Sequence, residues 1–151
     1  MRALLAAILL SAIGCAPHRT VPAVGTRLDA RACFHVSGVS VYRDPESRCP
    51  EFDAVAERIR LVEERFGSVS GASVYIVDAW VECAGQDLGG CAVGDNVTVS
   101  GGVTVLGAIL HELSHVAITR RLGDGSLAEY DLDHHGDDSL RALHPRFYRE
   151  D

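Results

Sequence analysis

Two histidines and a glutamate stand inside an otherwise apolar stretch in the second half of the chain. The stretch reads AILHELSHVAI over residues 108–118, and its ionisable groups are His111, Glu112 and His115. Residues four apart lie on one face of an α-helix, with Cβ atoms roughly 5–6 Å apart. The imidazoles of His111 and His115 can therefore point to one position in space, as two ligands of a single metal ion must.

Zinc suits this spacing, because it accepts neutral imidazole nitrogen at about 2.0–2.1 Å in tetrahedral geometry. Glu112 lies one residue further round the helix, beside the two ligands and not between them. A carboxylate in that place can reach metal-bound water without becoming a ligand. The alternative is a core helix that carries two ordinary buried histidines. Burying two imidazoles and a carboxylate without partners costs several kcal/mol, so the pattern favours a metal site.

The five residues HELSH resemble the H-E-x-x-H signature of the zinc metallopeptidases called zincins. The strand-like segment NVTVS at residues 96–100 matches the zincin layout, in which an edge strand borders the substrate cleft ahead of the motif helix. The resemblance implies that His111 and His115 bind Zn²⁺ and that Glu112 is the general base. In that chemistry, Glu112 takes a proton from zinc-bound water as the water attacks a peptide carbonyl, and then passes it to the leaving amine. The implied substrate is a peptide or a protein.

A catalytic zinc needs three protein ligands and an open position, so a third ligand is expected beyond the helix. The metzincin pattern H-x-x-G-x-x-H is not continued here, since VAITRR follows His115. His135, with Gly136 after it, resembles the third-ligand stretch of SprT-like zincins at a longer spacing, and it is the expected third ligand. Four residues of the same segment are alternatives: His134, Glu129, Asp131 and Asp133.

Hydrophobic periodicity indicates two helices that must position these residues. Apolar residues recur at helical spacing over residues 51–66, which lie between Pro50 and Gly67. The motif helix is expected over residues 104–122 and ends at Gly123.

Strands and loops follow from β-branched residues and glycine. Residues 32–43 read as one strand or as a hairpin that turns near Ser37-Gly38. Further strands are expected over residues 72–79 and 96–100, and the glycine-rich segment 83–91 is expected to be a loop. The expected fold is α+β and zincin-like: a small, mostly antiparallel sheet packed on a backing helix and the HExxH helix.

The N-terminus has the features of an export signal. Residues 1–14 carry a positive charge at Arg2, then an apolar run, then small residues. The ending Ser-Ala-Ile-Gly-Cys15 resembles a bacterial lipobox, although that family prefers Leu where this chain has Ala12. The resemblance implies a lipoprotein signal peptide over residues 1–14 and a lipid anchor on Cys15. Ala16 then favours the outer membrane of the cell envelope over the inner one, facing the periplasm or the exterior. Plain secretion is the alternative.

The rest of the chain divides into a tether and a domain. Residues 15–30 contain Pro17, Pro22 and Gly25 with little periodicity, and they are expected to be a flexible membrane tether. Residues 31–151 are long enough for a single domain with a hydrophobic core, and they are expected to form the zincin-like metallopeptidase domain.

Cysteine counting supports an oxidising compartment. The chain has five cysteines, an odd number that needs an explanation in an exported protein. If Cys15 carries lipid, an even set suited to two disulfides remains: Cys33, Cys49, Cys83 and Cys91. Three pairings are possible. Cys33–Cys49 and Cys83–Cys91 are favoured because each closes a short loop. A structural zinc site is disfavoured because no C-x-x-C pair occurs.

The net charge of the chain limits which partners it is expected to bind. The formal net charge is −7, and all 14 basic residues are Arg. No Arg cluster offers a stripe for phosphates, so a nucleic-acid partner is not expected. The expected contacts are a peptide substrate and the membrane, through the lipid, and the chain is expected to be a monomer.

The alternative function is a non-catalytic envelope binding module that retains a zincin fold with a structural zinc. The two functions differ in whether Glu112 faces an open cleft or is sealed off.

Overall fold

The structure is a computed structural model that describes residues 19–23, 29–102, 105–124 and 126. These residues form two helices, α1 (Phe52–Arg65) and α2 (Val105–Leu122). They also form eight strands: β1 (Thr20–Pro22), β2 (Arg31–Val36), β3 (Val39–Arg43), β4 (Ser73–Val77), β5 (Trp80–Cys83), β6 (Gln86–Leu88), β7 (Gly90–Val93) and β8 (Asn96–Ser100). The predicted α+β class is confirmed, as are both predicted helices and the hairpin that turns at Ser37-Gly38.

The larger sheet of the described residues has five strands in the order β2-β3-β4-β8-β7. The β2–β3 and β7–β8 pairs are antiparallel, whereas β3–β4 and β4–β8 are parallel. The expectation of a mostly antiparallel sheet is therefore wrong, and the sheet is mixed. The reason is that α1 connects β3 to β4, and a helix between adjacent strands is the usual crossover that makes them parallel.

The main core lies between this sheet and the two helices, which also pack on each other. Alternate residues of the three central strands point to it, and they are Val39, Val41, Val74, Ile76, Val97 and Val99. The helices contribute Val55, Ile59 and Val62 from α1, and Ile109, Leu110, Leu113 and Val116 from α2. Burying each such side chain contributes roughly 1.5–3 kcal/mol, so this core fixes α2 against the sheet.

Charged side chains line the exposed face of α1. On the exposed face of α1, Arg60 pairs with Glu57 and Glu64, and these hydrogen bonds raise the pKa of Arg60. Such solvated pairs contribute little to stability, so α1 is held mainly by its apolar face.

At the end of α2, Gly123 has a left-handed φ of 85°, and its N–H donates to the carbonyl of Thr119 at 3.0 Å. This is the glycine cap that the sequence predicts.

A smaller sheet of three strands, in the order β1-β5-β6, packs against the larger sheet through a second hydrophobic cluster. This cluster contains Val21, Val77, Val81 and Cys91. Its β1 lies inside residues 15–30, the segment expected to be a tether. The predicted loop over residues 83–91 is wrong, because β5 and β6 form a hairpin and β7 follows directly. Ala84 and Gly85 form the two-residue turn of this hairpin. Their φ values of 50° and 80° are both positive, as in the type I′ turns that commonly join two antiparallel strands.

Two disulfides join these elements, with the predicted pairing. Cys33–Cys49 ties β2 to the segment before α1, with an S–S distance of 2.07 Å. Cys83–Cys91 ties β5 to β7, with an S–S distance of 1.99 Å, and so links the two sheets. Within the described part of the chain, no helix combines the length and the apolar character needed to cross a membrane.

Candidate metal centre

Helix α2 presents two different faces, and this places the motif at the boundary of the core. Its buried residues pack against the sheet and α1, and they include Ile109, Leu110, Leu113, Val116 and Ile118. His111 and His115 are only half-buried. Because the apolar face anchors the helix, the two imidazoles are presented from a fixed backbone at the edge of the core.

The two imidazoles converge, as the spacing predicts. The Nε2 atoms of His111 and His115 are 3.2 Å apart, and the ring centroids are 4.9 Å apart with the planes inclined by 68°. Two ligands of a tetrahedral ion with bonds of about 2.05 Å are themselves about 3.3 Å apart. The Nε2–Nε2 distance is therefore compatible with two ligands of one zinc ion, and it is also the distance of a hydrogen bond between the two rings.

Glu112 is enclosed between α2 and β7. Its exposed fraction is 8%, and its carboxylate lies directly against the backbone of Gly90. A Cβ atom placed on Gly90 would lie 2.8 Å from Oε1 of Glu112. Ala92, two residues further along β7, is also small and packs against the main core. These two small residues allow the helix and the strand to approach closely at the motif.

A cleft of about 490 Å³ opens beside the motif. Glu112, His115, Val116 and Thr119 line it from α2, together with Cys83, Ala92, Val93, Gly94 and Asp124. The lining combines apolar groups with a few polar ones, and the volume is in the usual range of 300–1,000 Å³ for ligand sites. Glu112 and one of the two histidines thus face a space that a ligand could enter.

The strand that borders this cleft is β7, not the one predicted. Residues 96–100 form β8, which lies between β4 and β7 inside the sheet, whereas β7 is the last strand of the sheet in the described residues. The N–H of Ser100 donates to the carbonyl of Gly89 at 2.8 Å, beside the Gly90–Val99 pair. Gly90 therefore belongs to a pair without mutual hydrogen bonds, and its N–H and carbonyl point away from β8.

Of the predicted site residues, the structure brings the rings of His111 and His115 together, places Glu112 and His115 on one cleft, and pairs the four cysteines. The predicted third ligand His135 lies outside the described residues, as does Cys15. The same holds for the alternative third ligands His134, Glu129, Asp131 and Asp133. Within the described ranges, no group of three or more His, Cys, Asp or Glu side chains forms a metal site. The described site is thus a pair of histidines with a carboxylate on the same helix.

Sequence reasoning missed the residues that β7 contributes, above all Gly90, because the glycines of that segment were interpreted as a loop. It also missed Thr119, which lines the cleft. A signal for Thr119 exists, since it lies one helical turn after His115 and therefore on the same face of α2.

When the chain is compared with protein-family models, with curated proteins and with solved structures, no match is found. The function must therefore be inferred from the residues of the site.

Proposed function

We propose that this protein is a zinc-dependent peptidase of the zincin type, in which His111 and His115 bind the metal and Glu112 is the general base. The observation that carries the proposal is the 3.2 Å separation of the two Nε2 atoms, which matches two ligands of one tetrahedral ion. The mixed sheet adds support, because its last described strand, β7, borders the cleft beside the HExxH helix. This is the position that the edge strand has in zincins.

The chain's own groups have separate tasks in the proposed reaction. Zinc, when bound, supplies a Lewis acid that polarises the peptide carbonyl and lowers the pKa of water. Glu112 accepts the proton of the attacking water and donates it to the amine that leaves. The walls of the cleft, formed by α2 and β7, hold the peptide beside Glu112 and limit the access of bulk water.

The third ligand is proposed to be His135, with His134, Glu129, Asp131 and Asp133 as the alternatives. Support comes from the point at which the chain leaves α2. Asp124, which directly follows the glycine cap of the helix, lines the cleft. The chain therefore leaves α2 at a residue that lines the same cleft as His115.

The test is a peptidase assay of the purified full chain together with its Glu112→Gln variant, each with its zinc content measured. We expect the wild-type protein to hydrolyse peptides and a hydroxamate to inhibit it. We expect the variant to lose hydrolysis while it keeps zinc, because Gln preserves the shape of the side chain but cannot accept the proton. A variant as active as the wild type would refute the role of Glu112.

The second candidate is a non-catalytic binding module with a structural zinc. The low exposure of Glu112, 8%, favours it, because a carboxylate packed against Gly90 leaves little room for water. The same assay distinguishes the two functions. A zinc-loaded wild-type protein that hydrolyses no peptide and binds no hydroxamate would support the binding module.

We further propose that the protein works as a monomer in the bacterial cell envelope, anchored through lipid on Cys15 to the outer membrane. Two disulfides support this location, since disulfides persist in oxidising compartments and are rare in reducing ones. A peptide or protein of the periplasm or the exterior is then the substrate.

A further inference from the structure

Gly90 is a buried glycine whose backbone conformation does not require glycine. It lies at the start of β7, and its φ is outside the left-handed region, unlike that of Gly85 or Gly94. A side chain at this position is therefore not excluded by the backbone. The reason for glycine must be the space that a side chain would occupy.

That space is filled by Glu112. A Cβ atom on Gly90 would lie 2.8 Å from Oε1, 2.9 Å from Cγ and 3.1 Å from Cδ of Glu112. All three distances are shorter than the roughly 3.5–4.0 Å of an optimal carbon contact. These atoms belong to the side chain of Glu112 and not to a backbone, so it is this side chain that must shift to admit a Cβ atom. Any residue larger than glycine at position 90 thus displaces the carboxylate.

We infer that Gly90 is a positioning residue, whose bare backbone sets where the Glu112 carboxylate lies beside His111 and His115. The inference rests on the proposed function, and it names a determinant of that function on a different element. A general base acts only within hydrogen-bond reach of the proton that it takes. A displacement of about 1 Å can cost on the order of a hundredfold in rate.

The test compares Gly90→Ala with Gly89→Ala in the full chain. Gly89 is the matched control, because it is the adjacent residue, its φ is also outside the left-handed region, and an added Cβ would meet no atom of the described residues within 4 Å. We expect Gly90→Ala to lower kcat roughly tenfold to a hundredfold. KM, zinc affinity and melting temperature should stay close to the wild-type values. Gly89→Ala should match the wild type throughout.

A second measurement does not depend on activity. In zinc-free protein labelled with ¹³C at glutamate carboxyl groups, the Glu112 resonance is assigned by its loss in Glu112→Gln. We expect this resonance to shift in Gly90→Ala and not in Gly89→Ala. An unchanged resonance, or a wild-type kcat in Gly90→Ala, would overturn the inference. A wild-type protein without peptidase activity would instead contradict the proposed function, and the resonance would then still decide whether Gly90 positions Glu112.

Discussion

His111 and His115 converge because of helix geometry, and Glu112 is placed by a contact with another element. One turn of α2 separates the two residues, and their Nε2 atoms lie 3.2 Å from each other. This distance is set by the helix and by the side-chain torsions. Glu112 points between α2 and β7, where the backbone of Gly90 limits its position. The positions of the two proposed ligands thus depend on local structure, whereas that of the proposed base depends on how the strand and the helix pack.

At the level of single residues, we expect Glu112→Gln to lose peptidase activity and to keep zinc. General acid–base catalysis typically contributes 10²–10⁴-fold, so kcat should fall by about that factor while zinc stoichiometry is retained. Steady-state kinetics with metal analysis measures both. Glu82→Gln is the matched control, because Glu82 is an exposed glutamate of β5, and its kcat should equal that of the wild type. A comparable loss in both variants would show that the effect is not specific to the site.

At the scale of elements, the Cys83–Cys91 disulfide connects the cleft to the smaller sheet. Cys83 lines the cleft, and Cys91 follows Gly90 on β7. The bond therefore restrains the strand that contacts Glu112. Cys33–Cys49, by contrast, joins β2 to the segment before α1, and neither of its cysteines lines the cleft.

This difference predicts separate effects for the two bridges. Replacing both cysteines of either bridge with Ala should lower the free energy of unfolding by roughly 2–4 kcal/mol, because each bridge closes a loop in the unfolded chain. Only removal of Cys83–Cys91 should also lower kcat, since it frees the strand that carries Gly90. Urea unfolding and steady-state kinetics of the two double variants measure these effects. Equal kcat values in both variants would contradict a role for the bridge in holding β7.

Elements whose signals are local could be predicted from the sequence. Pro50 before α1, Gly123 after α2 and the turn at Ser37-Gly38 all mark their boundaries within a few residues. The order of the strands could not be predicted, because it depends on pairing between distant segments. Residues 83–91 show the limit, since their glycines suit a loop, a hairpin turn and a close contact with a helix equally well.

The same limit applies to the candidate site. The closeness of His111 and His115 could be predicted because helical spacing alone brings the two rings together. The cleft and the role of Gly90 could not, because they arise where β7 packs against α2. An expectation that β8 forms the edge of the sheet was wrong for this reason: β7 was not recognised as a strand.

At the scale of the whole molecule, the smaller sheet lies close in sequence to the proposed anchor. β1 begins at Thr20, five residues after Cys15, and it pairs with β5 of the smaller sheet. Five residues span at most about 18 Å, so a lipid on Cys15 would hold this sheet near the membrane surface. The domain would then be tethered closely and not at the end of a long linker.

This arrangement predicts the behaviour of Cys15→Ser. The variant lacks the thiol that accepts lipid, so we expect the protein to lose its lipid anchor. A labelled fatty acid should be incorporated by the wild type and not by the variant. Both disulfides should still form, because export does not depend on this thiol. Incorporation of the labelled fatty acid by Cys15→Ser to the same extent as by the wild type would exclude lipid on Cys15 as the anchor.

Zinc binding by the purified full chain tests whether His111 and His115 bind one zinc ion. The measurement is metal content after equilibration with zinc and removal of excess, for the wild type and for a variant with both histidines changed to Ala. We expect one zinc per wild-type chain, bound through nitrogen at about 2.0–2.1 Å in its X-ray absorption spectrum, and none at this site in the variant. A folded wild-type protein with both disulfides formed that binds no zinc would contradict it.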